Sequence, residues 1–146
     1  MENFMTLTIK AISANESFAR SAVAAFCVDA NPTVDQLGDI KTAVSEAVTN
    51  SIVHGYAGQE NGTVEIDVRR SGSVVHIEVR DHGVGIADIP RARQPFFTTK
   101  PDEERSGMGF TVMESFMDEL TVQPNPSGGL LVRMSKDFGA PKKRTE

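Results

Sequence analysis

Hydrophobic and polar positions alternate along the first stretch of the chain. Met5, Leu7 and Ile9 face one way and Thr6, Thr8 and Lys10 the other, a period of two that predicts a strand within Phe4–Ile12. Ser13-Ala14-Asn15-Glu16 has the spacing of a capping box, so a helix is expected to begin there and run to about Asp29. Asn31-Pro32 breaks it, and Thr33-Val34-Asp35-Gln36 supplies a second box. A long helix to about Tyr56 follows, with Leu37, Ile40, Val44 and Val48 on one stripe.

Gly58–Gly62 reads as a loop. Val64, Ile66 and Val68 then alternate with Glu65, Asp67 and Arg69, and after Ser71-Gly72-Ser73 the strand returns through Val75, Ile77 and Val79. Two more strands, near Leu120–Gln123 and Leu130–Ser135, flank the turn-rich segment Pro124–Gly129. Between the hairpins, Asp81–Glu119 opens with a glycine loop, has a proline- and charge-rich centre, and ends in a helix from about Met108 to Met117. The order predicts an α+β fold, a two-layer sandwich of a mostly antiparallel mixed sheet with helices on one face. One domain is expected over residues 1–138, followed by a flexible basic tail, 139–146, that carries Lys142-Lys143-Arg144.

Composition narrows the classes. The 146 residues are 39% hydrophobic, enough for one core. The longest apolar run, Ala22–Val28, has seven residues, whereas a membrane-spanning helix needs about 20. Met1-Glu2-Asn3-Phe4 lacks the regions of a signal peptide. The single Cys27 excludes an internal disulfide framework, so a cytoplasmic protein is expected. With 15 Lys+Arg against 20 Asp+Glu, the net charge of -5 argues against nucleic acid as a direct partner.

Four segments can carry chemistry. Glu46 and Asn50 lie four apart on the long helix, away from its apolar stripe. Asn50 offers a neutral oxygen to a hard cation such as Mg²⁺, and Glu46 a carboxylate that can take a proton; an exposed polar helix face is the plain alternative. Asp81 continues the core-facing series Val75, Ile77, Val79, so its carboxylate needs a partner. A ligand amino group is one candidate, with Gly83 and Gly85 giving close access, and an Asx-type turn is the other. Arg105-Ser106-Gly107-Met108-Gly109 opens the third helix as an anion site or as an ordinary loop-to-helix junction. Gln94–Glu104 is long and proline-bounded, suited to a lid or a surface loop. His54, His76 and His82 lack zinc-ligand spacing, and Cys27 reads as core.

Taken together, Glu46-x-x-x-Asn50, Asp81-x-Gly83-x-Gly85 and Gly107-x-Gly109 resemble the Bergerat-type (GHKL) family of gyrase-like ATPases, heat-shock chaperones and histidine kinases. The segments Ser45–Asn50 with His54-Gly55-Tyr56, Arg93–Pro101 and Glu104–Phe110 are similar to its anti-sigma F branch in endospore-forming bacteria, over essentially the whole chain. The resemblance implies an ATP-dependent protein serine kinase that also binds and inhibits a sporulation sigma factor. Its substrate is then a serine of an anti-anti-sigma protein.

By that resemblance, Asp81 bonds the adenine amino group of ATP or ADP in a pocket shaped by Gly83 and Gly85, and Asn50 ligates Mg²⁺. Ser106, Gly107, Met108 and Gly109 face the phosphates, and Arg105 approaches the terminal one. Thr98, Thr99 and Lys100 belong to the lid, and Glu46 is the general base. Arg20, with Glu16 beside it, meets both protein partners, and the -5 charge favours a basic sigma factor. Homodimers form on the side of the N-terminal strand. The chain departs from the family at Gly128-Gly129-Leu130-Leu131, where relatives place a threonine that supports the adenine site. General-stress anti-sigma kinases share the core motifs, and a non-catalytic, nucleotide-gated sigma-binding module is a further alternative. An isolated histidine kinase domain is disfavoured, since no dimerisation helix with a phosphoacceptor histidine precedes the domain.

Overall fold

In the computed structural model, which describes residues 2–57, 59–94 and 109–139, the first alternating segment forms β1 (Glu2–Lys10). It lies antiparallel to β2 (Thr63–Ser71), with Leu7 opposite Ile66 and Ile9 opposite Val64. Directly opposed residues share a face, so the apolar sets of the two strands merge. Gly72, at φ +60°, turns the chain into β3 (Val74–Asp81).

The second hairpin comprises β4 (Glu119–Pro124) and β5 (Leu130–Asp137). Its later strand inserts beside β3, giving the order β1-β2-β3-β5-β4. Because β5 runs against both β3 and β4, every pairing among the described residues is antiparallel. The α+β sandwich is as expected; the parallel component of a mixed sheet is absent from the described strands.

One face carries the helices α1 (Ala14–Cys27), α2 (Val34–Asn50) and α4 (Gly109–Phe116), with a short α3 (Ile89–Ala92) after the β3 loop. Ile40, Val44 and Val48 of α2 are fully buried, as are Ile66, Ile77 and Val23 from β2, β3 and α1. Each such side chain stabilises the fold by roughly 1.5–3 kcal/mol. The other face is a charged lattice: Thr6 donates to Asp67, Arg80 meets Asp67, Glu65 and Glu78, and Arg133 meets Glu78. Partial burial pushes the Asp67 carboxyl up, but bonds from Thr6 and Arg80 outweigh it and hold the group below its ordinary value.

The two caps behave differently. Thr33 and Gln36 form the expected reciprocal box, at 3.1 and 2.9 Å. Ser13 does not: its backbone is already helical and its side chain makes no capping bond. Asn15 instead bonds the Lys10 carbonyl, and Glu16 turns away to Arg20 and Ser45. α1 continues through a 3₁₀ turn, Val28–Ala30, and stops at Asn31, whose left-handed φ of 57° asparagine tolerates.

Lys136 of β5 is a buried charged side chain on the face of the sheet that meets the helices. It donates to the Phe116 carbonyl at 2.7 Å and pairs with Asp39 at 3.2 Å, tying the end of α4 to α2. Cys27 is fully buried, as the core reading expected. No helix among the described residues is long and apolar enough to cross a membrane.

Candidate functional site

The end of α2 is where the site begins. A helix to Tyr56 is the right extent, but its last turn differs: Ser51–Gly55 widens into a π turn, closed by the Tyr56 N–H on the Ser51 carbonyl at 3.0 Å. Such one-turn widenings cluster at functional sites because they re-aim side chains. Here the hydroxyl of Ser51 reaches Asp81, the last residue of β3.

Asp81 is 1% exposed and faces the core as its place in the alternation requires. Its Oδ2 accepts the Ser51 hydroxyl at 2.7 Å. Its Oδ1 accepts the N–H groups of Gly83, at 3.0 Å, and Leu130, at 3.2 Å. A carboxylate has roughly four acceptor positions, and the described protein donors occupy three. Among the described residues no donor takes the remaining one, on Oδ2.

Three backbone segments converge on this carboxylate. The Val84 N–H bonds the Gly55 carbonyl at 2.8 Å, and Asn125 Nδ2 bonds the Asp81 carbonyl at 2.9 Å. A Cβ on Gly83 would stand 2.0 Å from the Gly55 oxygen, and one on Gly129 would stand 2.2 Å from the Asp81 oxygen. Only glycine permits either approach. Gly85, at φ +71°, lies against Gly129. Tyr56 locks the junction, donating to the Thr63 carbonyl at 2.6 Å and accepting the His82 N–H at 2.7 Å. An open cavity of about 590 Å³ lies beside the junction, lined by Tyr56, Asn61, Thr63, His82, Gly83 and Val84 and not by Asp81, Ser51 or Asn50.

Asn50 immediately precedes Ser51, and Glu46 lies one turn earlier; both are half-buried. The fold therefore brings the Glu46/Asn50 helix end and the Asp81 loop together, as two of the motifs require. Among the described residues no group of three or more His, Cys, Asp or Glu could hold a metal. A single amide oxygen suits Mg²⁺, which keeps waters and phosphate oxygens as its other ligands. Arg20 bonds both oxygens of Glu16, at 3.0 and 3.3 Å, and Glu16 also accepts from Ser45, next to Glu46. Gly109 is the first residue of α4. Thr98, Thr99, Lys100, Arg105, Ser106, Gly107 and Met108 lie outside the described residues, as does most of the basic tail.

Ser51 and Tyr56 are contributors that pattern reading did not single out for a role. Ser51 carries no periodic signal, since its reach depends on the π turn. Tyr56 stood out only as part of a motif, and its contacts span loops that sequence does not place.

The model of the histidine kinase-like ATPase domain matches residues 10–136. An anti-sigma F factor of Geobacillus sp. (strain WCH70) is 57% identical over 136 residues, covering 93% of each chain. Those of Geobacillus kaustophilus (strain HTA426) and Clostridium botulinum (strain Eklund 17B / Type B) are 56% and 54% identical. They cover 97% and 94% of this chain, and 97% and 96% of their own length. The solved RsbU and RsbW domains of a Mycobacterium tuberculosis protein superpose with a TM-score of 0.67 at 17% identity, over 93% of this chain and 32% of the longer one. That likeness concerns the fold alone. The Asp81 carboxylate lies where the helix and glycine-loop motifs meet, and the chain, matched by the family model over residues 10–136, belongs to the histidine kinase-like ATPase domain family.

Proposed function

We propose that this chain is an ATP-dependent protein serine kinase and anti-sigma factor, which inhibits a sporulation sigma factor and phosphorylates its anti-anti-sigma antagonist. The observation that carries the nucleotide part is the buried Asp81 carboxylate with one acceptor position left on Oδ2. The exocyclic amino group of adenine fills that position. Gly83 and Gly85 let the base approach, and Asn50 holds the Mg²⁺ that neutralises phosphate charge when bound. Gly107, Gly109 and the neighbouring Ser106 and Met108 present backbone to the phosphates, with Arg105 at the terminal one. Thr98, Thr99 and Lys100 close over them. Phosphoryl transfer depends chiefly on such positioning and charge stabilisation.

Glu46 acts as the base. It takes the proton of the acceptor serine as that oxygen bonds the terminal phosphorus and the bond to the departing ADP breaks. The names of the curated relatives favour the sporulation type over the general-stress type. Arg20 and Glu16, paired and half-buried on α1 beside Ser45 of α2, contribute to a surface on which both protein partners compete. The unpaired edge of β1 joins two copies into a homodimer that works in the cytoplasm.

The test is incubation with Mg-ATP and the anti-anti-sigma protein, followed by mass spectrometry of the substrate. One phosphoserine is expected with the native protein. Glu46→Gln is expected to reduce the transfer rate by about 10²–10⁴-fold while ATP binding persists. Transfer undiminished in Glu46→Gln removes the base role. Absence of transfer by the native protein despite ATP binding leaves a nucleotide-gated sigma-binding module.

A further inference from the structure

Asp81 takes its protein donors from two kinds of source. Oδ1 is held by backbone N–H groups, from Gly83 and Leu130, which no side-chain change at those positions removes. Oδ2 is held by one side chain, Ser51, which is 3% exposed and sits on the first position of the π turn. The face of Asp81 left for a ligand is therefore the face that Ser51 controls.

We infer that Ser51 is a positioning residue that sets the site's preference for 6-amino over 6-oxo purine nucleotides. The inference rests on the nucleotide reading above and deepens it. A hydroxyl has one proton to give. While Ser51 gives it to Oδ2, that oxygen accepts and does not donate, and Ser51 Oγ is left with lone pairs alone. The ligand's position 6 then meets acceptors. An amino group there donates and is bound; a carbonyl oxygen meets lone pairs and is repelled. Ser51 also fixes the rotation of the carboxyl plane, because the Oδ1 donors alone pin one oxygen and leave the other free to swing. Removing the hydroxyl loosens Oδ2 and admits a carboxyl orientation that no longer sets acceptors against a 6-oxo group. The cost falls on discrimination, since a 6-amino and a 6-oxo nucleotide share their sugar and phosphates and differ at one edge of the base.

The probes are ATP and ITP, which differ at that edge alone, titrated with Mg²⁺ against the full chain and its variants. Ser51→Ala deletes the donor, Ser51→Cys keeps the shape with a weaker donor, and Ser51→Thr restores the hydroxyl. The native protein is expected to favour ATP, and the ratio of ITP to ATP dissociation constants to fall about tenfold in Ser51→Ala. Ser51→Cys is expected to lower the ratio too, and Ser51→Thr to recover it. Thermal unfolding identifies which variants are folded; if Ser51→Ala is not, Ser51→Cys decides. A general loosening of the pocket weakens both nucleotides equally and leaves the ratio where it was. An unchanged ratio in the folded variants therefore overturns the role of Ser51 and leaves the nucleotide reading standing. A native protein that binds ATP and ITP alike, or neither, overturns that reading and the inference with it.

Discussion

Asp81→Asn is the most informative single change, because the structure dictates how the new amide must sit. Two N–H donors, from Gly83 and Leu130, point at the Oδ1 position. Placing an NH₂ there would leave donors facing donors, at about 1–3 kcal/mol for each unsatisfied group. The amide oxygen therefore takes that position and the NH₂ takes the place of Oδ2. Ser51 can reverse its hydroxyl to accept from the NH₂, so the cost to folding is expected to stay near 1 kcal/mol. The ligand side is worse off. The adenine amino group now meets a donor and loses a hydrogen bond to a charged acceptor, worth about 1.5–3 kcal/mol. ATP affinity should fall about 10–150-fold. The same NH₂ can donate to the 6-oxo group of ITP, so the preference should move towards ITP. Calorimetric titration of both nucleotides, with urea unfolding as a control, measures each quantity. ATP affinity within about twofold of the native value in a folded Asp81→Asn protein would refute the assignment.

Two further expectations concern the core. Lys136→Met removes the donor that holds the Phe116 carbonyl and the partner of Asp39; stability to urea should drop by about 2–3 kcal/mol, and a change below about 0.5 kcal/mol would count against the tie between α4 and α2. For Cys27, burial raises the thiol from 9.0 to about 11, with the Arg70 charge pulling it part of the way back. The unfolded thiol ionises near its ordinary value while the folded one stays protonated. The stability it contributes is therefore present below about pH 9 and lost as pH rises towards 11, by about 2–3 kcal/mol. Comparing native protein with Cys27→Ala by urea unfolding at about pH 8 and pH 10.5 isolates this term, and a constant difference between the two would contradict it.

The strands and main helices were legible because their apolar periods leave little choice: Val64, Ile66 and Val68 and then Val75, Ile77 and Val79 have one common face, and Asp81 continues it. That continuation also located the carboxylate of the site. The order of strands was not legible, since nothing local to Leu130–Asp137 says it will insert beside β3 before β4. Ser13 looked like a cap by spacing, yet Glu16 is drawn to Arg20 and Ser45 across a helix interface that a linear pattern does not contain. Ser51 illustrates the same limit at the site. A helix drawn at constant pitch gives it no special direction, and the π turn that aims it at Asp81 follows from the approach of Gly55 to Gly83 and Val84.

The reading of this chain turns on what meets Asp81 and Asn50 when nucleotide is bound. A crystal structure with an ATP analogue and Mg²⁺ measures that directly. The account predicts the base amino nitrogen at about 2.9 Å from Asp81 Oδ2, beside Ser51 Oγ, and the Asn50 side-chain oxygen at about 2.1 Å from the metal. A base bound elsewhere, or Mg²⁺ held without Asn50, would contradict it.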